Sequence, residues 1–158
     1  MIDLTLALEH LKADNEPRET ALIETYIAGA VSACEGYCNR KFYETESEKD
    51  ADYAVAKIDL VAAQEARKTG LADTDDAELI NIVNDQYISR RAAVLKRMNG
   101  IVVDGTIMAA MLMMLGHFYK NRQEVVVAQY SGATQLPAGA RRILEPYLWI
   151  GDLAGMPE

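Results

Sequence analysis

The chain has 158 residues and a mass of 17.5 kDa, with 50% hydrophobic and 25% charged residues, the size and balance of one globular domain with a core to bury rather than a disordered segment. Its 24 acidic against 16 basic side chains leave a net charge of −8 and a pI near 4.8, which disfavours a general affinity for DNA or anionic lipid. Two cysteines, Cys34 and Cys38, are too few for a disulfide framework, and Met1–Leu11 lacks the basic and apolar regions of a secretory signal.

Ten glycines, four prolines and apolar residues recurring at spacings of three and four predict an all-α chain: a small helical bundle carrying a long helical hairpin. Thr5 is placed to cap a short helix through about Lys12. Pro17 then sits in the first turn of a second helix, where its missing N–H costs nothing. That helix should reach Cys38, with Ile23, Ile27, Ala30, Val31, Cys34 and Cys38 along one face.

From Glu44 to Lys96 there are 12 acidic and 7 basic residues, so most of the chain's charge excess is local. Glu48–Met98 reads as two long antiparallel helices, joined by a turn from Gly70 to Asp75. In the first, Tyr53, Ala54, Ile58, Val61, Ala62, Glu65 and Ala66 sit at helical spacing, a mainly apolar stripe, with Gly70 where a C-terminal cap would fall; the second should present Leu79, Ile80, Val83, Tyr87, Val94, Leu95 and Met98 as its apolar stripe after a capping box from Asp75 to Glu78. The segment from Asn99 to Gly105 is a connector, briefly extended, and Thr106 is the expected cap of an apolar helix from Ile107. This helix, with 13 residues to Tyr119 that are apolar almost all round, falls short of the roughly 18–20 of a membrane span and belongs in a bundle centre or at a subunit interface. Its methionines 108, 111, 113 and 114 read as adaptable core filler. Val125–Ala128 is a candidate short strand near 125–130, Ser131–Thr134 a loop, and Pro137 the start of a last short helix that finishes near Pro146. One domain with three parts results: helices over 1–43, an inserted acidic hairpin over 44–99, and the apolar helix with the C-terminal segment over 100–158.

Little in the pattern suggests catalysis. Cys34 and Cys38 share a helix face while His10 and His117 are far apart in sequence, so no recognised zinc spacing arises, and the cysteines read as small buried hydrophobes. Counted from Asp73, the sixth and twelfth positions of a calcium loop hold Glu78 and Asn84 rather than glycine and glutamate. No phosphate loop, nucleophile elbow or dinucleotide fingerprint is present. The arginine pairs Arg90-Arg91 and Arg141-Arg142 suit salt bridges better than a nucleic-acid footprint. The residues alone leave room for an acidic helical interaction module, and for a small metal-dependent enzyme built on Cys34 and Cys38; no cofactor is called for.

Two segments together carry a resemblance. Leu4-Thr5-Leu6, Leu11-Lys12, Glu19–Ile23, Tyr26-Ile27, Ala30 and Glu35–Arg40 form the first. Gly100–Asp104, Met108–Ala110, Leu115–Arg122 with Glu124, Leu136-Pro137 and Ile143–Tyr147 form the second. In this order they resemble the head-tail connector proteins of long-tailed bacteriophages, also called adaptor or DNA-packaging proteins, in the version with an inserted helical hairpin. The chain departs from the family pattern after Pro146-Tyr147, where Leu148-Trp149-Ile150 replaces a common arginine.

The resemblance implies a structural, non-enzymatic subunit of phage or prophage origin. Such a subunit joins a ring of about twelve copies under the portal protein at the head-tail junction of the virion, after assembly in the host cytoplasm. The ring extends the DNA channel, which passes DNA without binding it specifically, and supports a head-completion or tail protein; no membrane is involved. By position in the family, Glu35, Tyr37 and Arg40 close the second helix and Tyr119, Asn121, Arg122 and Glu124 close the apolar one, where they should fix helix ends or pair across subunits. His117, Pro146, Tyr147 and Trp149 complete the expected structural and interface set, Trp149 being the type of anchor that interfaces favour.

Overall fold

The computed structural model describes residues 1–14, 16–121 and 136–151, residue 18 by its backbone alone. Helices α1 (Leu4–Leu11), α2 (Pro17–Cys38), α3 (Glu46–Ala72), α4 (Ala77–Met98), α5 (Gly105–Lys120) and α6 (Ala138–Leu144) account for most of the described residues. A two-stranded sheet pairs β1 (Phe42–Tyr43) with β2 (Ile101–Val102), so the fold is all-α. The extended piece expected in the 99–105 connector is β2; its partner β1 is too short for any periodicity to reveal. The strand expected at 125–128 and the loop at 131–134 lie outside the described residues.

Aspartates set three of the helix starts, each one or two residues from the position the sequence suggests. Asp3, not Thr5, caps α1, its carboxylate accepting the Leu6 N–H at 2.8 Å. Asp76, not Asp75, caps α4 by accepting from Glu78 at 2.8 Å and Leu79 at 3.2 Å. Asp104, not Thr106, caps α5 by accepting from Thr106 at 2.9 Å and Ile107 at 2.8 Å. In each case a carboxylate satisfies orphan N–H groups and also places a negative charge at the positive end of the helix.

The chain divides into two compact units, Met1–Phe42 with Val103–Glu158, and Tyr43–Val102. In the first, α5 packs against both α2 and α6. Ile107, Ala110, Met111, Met114, Leu115 and Phe118 of α5 are buried. They meet a core to which α2 contributes Ile23, Tyr26, Ala30, Cys34 and Cys38 and α6 contributes Ala140 and Leu144. Gly29 allows a close approach, because a Cβ there would lie 3.2 Å from the Phe118 ring. The Tyr26 and Phe118 rings are 6.3 Å apart and tilted, a favourable aromatic pair. Met108 and Met113 are only partly covered, so two of the four methionines are core filler and two reach the surface.

The second unit is a helical hairpin, in which α3 and α4 are joined by Asp73–Asp76. Asp52 meets Arg97, Arg67 meets Asn84 and Gly70 faces Val83, so numbers rise along one helix as they fall along the other. The seam on α3 consists of Ala56, Ala63 and Gly70, spaced seven residues apart, the repeat that keeps one stripe of a helix against its partner. Helix α3 continues through Gly70 to Ala72 instead of ending there, and a Cβ at Gly70 would sit 3.1 Å from Val83.

The apolar stripe expected on α3 is therefore on the wrong face. Tyr53, Ile58 and Val61 are 41%, 69% and 59% exposed, because small residues let the backbones approach while the larger side chains point outward. On α4 the expected stripe is nearly right: Val94 is buried, Ile80, Val83, Tyr87, Leu95 and Met98 are half-buried, and Leu79 is exposed.

Polar groups tie the C-terminal end of α4 to the first half of α3. Arg97 Nε donates to both Asp52 carboxylate oxygens, at 3.0 and 3.1 Å, and the same guanidinium pairs with Asp59, seven residues further along α3. Tyr43 donates its hydroxyl hydrogen to Asp52. The bonds to Asp52 first, then those to Asp59, push the Arg97 pKa still further up. Arg97 and Asp52 are each 27% exposed, so water offsets part of any loss and the clasp contributes less than a fully buried pair. Arg97→Met should lower the unfolding free energy by about 1–2 kcal/mol, with Arg97→Lys retaining part of it. Urea denaturation reads this directly, and unchanged midpoints for both variants would exclude the clasp as a stabilising element.

Candidate functional site

At its C-terminal end α2 collects several of the residues singled out in the sequence. Asn39 adopts the left-handed conformation (φ 53°), and the Arg40 N–H returns to the Glu35 carbonyl oxygen at 3.2 Å, which closes the helix. Glu35 is buried, and its carboxylate accepts the Phe42 N–H at 2.8 Å and pairs with Lys41 at 3.2 Å. One side chain thus fixes the direction in which the chain leaves α2. Arg141 of α6 lies over the Tyr37 ring, with the guanidinium carbon 6.0 Å from its centre.

The C-terminal segment docks on this same helix end. The Trp149 N–H donates to the Cys38 carbonyl oxygen at 2.9 Å, and Asn39 Nδ2 reaches the Trp149 carbonyl at 3.5 Å. Leu148 and Ile150 are 37% and 76% exposed, on either side of a half-buried Trp149. The apolar tail is therefore anchored through its backbone while two of its three side chains meet solvent. Pro146 is exposed within the single 3-10 turn Glu145–Tyr147.

At the other end of the unit, Tyr119 donates to Glu19 at 2.5 Å, tying the end of α5 to the start of α2. His117 Nδ1 lies 3.0 Å from the Asn121 amide nitrogen, and the Asn121 N–H caps α5 at the His117 carbonyl oxygen. Arg122 and Glu124 lie outside the described residues. The candidate residues therefore form two groups, Glu35, Tyr37 and Arg40 with Trp149, and His117, Tyr119 and Asn121 with Glu19.

Asp104 is a contributor that sequence reading assigns only to a connector. Besides capping α5, its second oxygen accepts the Tyr147 hydroxyl at 2.7 Å. The bond from Tyr147, with the N–H donors of Ile107 and Thr106, holds the Asp104 carboxyl below the usual carboxylate range, and Asp104 in turn holds the Tyr147 phenol above its ordinary value. An Asp–x–Thr run just before an apolar helix is the signal for such a cap. Nothing in the sequence points to Tyr147 as its partner.

Burial pushes the Cys34 thiol up to about 12, with smaller contributions from Cys38 and Glu35. A thiol so protonated is a poor nucleophile and a poor metal ligand at neutral pH. Among the described residues no group of three or more His, Cys, Asp or Glu is arranged to hold a metal ion, and no helix is long and apolar enough to cross a membrane.

The Asp104–Tyr147 bond gives opposite signs at the two ends of the pH scale. The depressed Asp104 contributes fully above the carboxylate range, and that contribution is lost as pH falls through its folded value. The raised Tyr147 contributes below the ordinary tyrosine range, and its share is lost as pH rises through its folded value. Asp104→Ala should cost about 1 kcal/mol through the cap. Tyr147→Phe should cost less and reduce the alkaline decline in melting temperature; a Tyr147→Phe profile superimposable on that of the parent would show that the bond contributes nothing.

No curated protein and no solved structure matches the chain. Residues 1–87, which take in α1, α2, α3 and the first half of α4, match the family model described as phage gp6-like head-tail connector protein. The second segment that carries the sequence resemblance, from Gly100 to Tyr147, lies beyond the matched residues. The match spans more than half of the chain and supports the same reading as the helical architecture: this protein belongs to the phage gp6-like head-tail connector family.

Proposed function

We propose that the chain is a structural, non-enzymatic subunit of a ring at the phage head-tail junction, docking under the portal protein and supporting the next head-completion or tail protein. The family match is the observation that carries this reading. In the same proposal the ring holds about twelve copies, is put together in the host cytoplasm, and lets DNA pass without binding it.

The surface of the hairpin unit supports the self-association. Val55, Ile58 and Val61 on α3, and Leu79, Ile82 and Ile88 on α4, are each more than 40% exposed. So many large apolar side chains on one acidic hairpin mark surface that a neighbouring subunit would cover. The net charge of −8 suits a channel wall that repels passing DNA. The two clusters at the helix ends, together with Arg122 and Glu124, are proposed to fix those ends or to pair across subunits.

Sedimentation of the purified protein with and without portal tests the assembly. Co-sedimentation as a closed ring is expected, and a species that stays monomeric at high concentration and ignores portal would overturn the reading. Ile58→Glu should leave the melting temperature unchanged, since Ile58 is 69% exposed, and should weaken assembly by about tenfold or more. Assembly equal to that of the parent would remove the hairpin from the interface.

A further inference from the structure

We infer that the hairpin carries a binding cleft for one carboxylate group of a partner protein, built from Arg67 of α3 and Arg90 of α4. The cleft has a volume of about 150 Å³, and Gly70, Val83, Gln86 and Tyr87 line it beside the two arginines. It lies along the contact between α3 and α4, and the two arginines border it from opposite helices.

Among the described residues neither arginine pairs with a carboxylate. Arg67 Nε donates to Asn84 Oδ1 at 2.8 Å and its guanidinium stacks over Tyr87, 5.0 Å from the ring centre. Those contacts hold the group in place and leave its terminal nitrogens available for a two-point bond to an oxyanion. Arg90 forms no ion pair or hydrogen bond among the described residues. The positions three and four residues away on its own helix hold Gln86, Tyr87, Ala93 and Val94, and those around Arg67 hold Ala63, Gln64, Gly70 and Leu71. No carboxylate stands at a helical neighbour position of either. Within a hairpin segment of 12 acidic and 7 basic residues, two unpaired like charges bordering one cleft form a local positive site, and a single anion relieves their repulsion.

The oxyanion belongs to a protein side chain rather than to DNA. A polyanion would bring many phosphates against the acidic hairpin segment, whereas one Asp or Glu enters a cleft whose lining holds two arginines, Gln86 and Tyr87 and no carboxylate. This site is independent of where the subunit stands in a virion.

The test uses the isotope-labelled full-length chain and follows the arginine Nε–H resonances by NMR. The probes, in separate titrations, are an acetylated acidic tripeptide, inorganic phosphate and a short DNA duplex. The acidic peptide is expected to shift the Arg67 and Arg90 signals. Arg90→Gln should weaken that binding by about tenfold or more with no change in melting temperature, since Arg90 is exposed and makes no bond among the described residues. Arg67→Lys, which keeps the charge and loses the planar fork, should also weaken it. Absence of a peptide-induced shift, peptide affinity unchanged in Arg90→Gln, binding of inorganic phosphate alone, or tighter binding of DNA than of peptide would each overturn the inference.

Discussion

Helix α5 cannot exist in water by itself with six of its sixteen residues needing cover: Ile107, Ala110, Met111, Met114, Leu115 and Phe118 are all buried. At about 1.5–3 kcal/mol for each large apolar side chain, its burial contributes on the order of 10 kcal/mol before chain entropy is set against it. That is comparable to the whole net stability of an ordinary domain. The rest of the first unit follows from it. The α2 helix supplies one wall through Ile23, Tyr26, Ala30, Cys34 and Cys38, and the short α6 helix supplies Ala140 and Leu144. The polar bonds at the ends, Tyr119 to Glu19 and Tyr147 to Asp104, contribute far less energy. They tie particular residues of α5, or of its cap, to α2 and to the C-terminal segment, and so select one arrangement among those that would bury a similar area.

The hairpin obeys a different rule. Its seam on α3 is Ala56, Ala63 and Gly70, which bury little area but allow the helix backbones to come close, so that dispersion contacts and the Arg97 clasp replace a bulky core. A seam of this kind is selective about register. Shifting α4 by one turn would move Val83 away from Gly70 and end the simultaneous reach of Arg97 to Asp52 and Asp59. The consequence is that Ile58 and Val61, with no place in a seam made for small residues, are left on the surface.

Legibility in the sequence followed the same division. The α2 and α5 helices were readable almost to the residue, because large apolar side chains at spacings of three and four mark the buried face wherever burial dominates. On α3 that inference picked the wrong face. Alanine weighs little in a hydrophobic pattern, so Ala56 and Ala63 gave way to the bulkier Tyr53, Ile58 and Val61, which are exposed. The seven-residue spacing of Ala56, Ala63 and Gly70, matched by Asp52 and Asp59, was the available signal. Caps were misplaced by one or two residues where several Asp and Thr residues stood together, since side-chain geometry decides among them. The pairings of Tyr147 with Asp104 and of Trp149 with Cys38 join residues far apart in the chain, and local pattern holds no information about them.

Surface charge and surface apolarity on the hairpin act on each other. Large aliphatic side chains left in water favour association, and a surplus of carboxylates on the same helices opposes association between like copies through repulsion that fades beyond about a Debye length, roughly 8 Å at physiological salt. A copy approaching in a random orientation meets mostly negative charge, and only an orientation that lays apolar surface on apolar surface, with its acidic groups kept in solvent or set against cations, gains more from burial than it loses to repulsion. Orientation thus becomes the discriminating variable. That combination opposes indiscriminate contact more than a neutral apolar face would, and permits burial in one orientation more readily than a fully charged one.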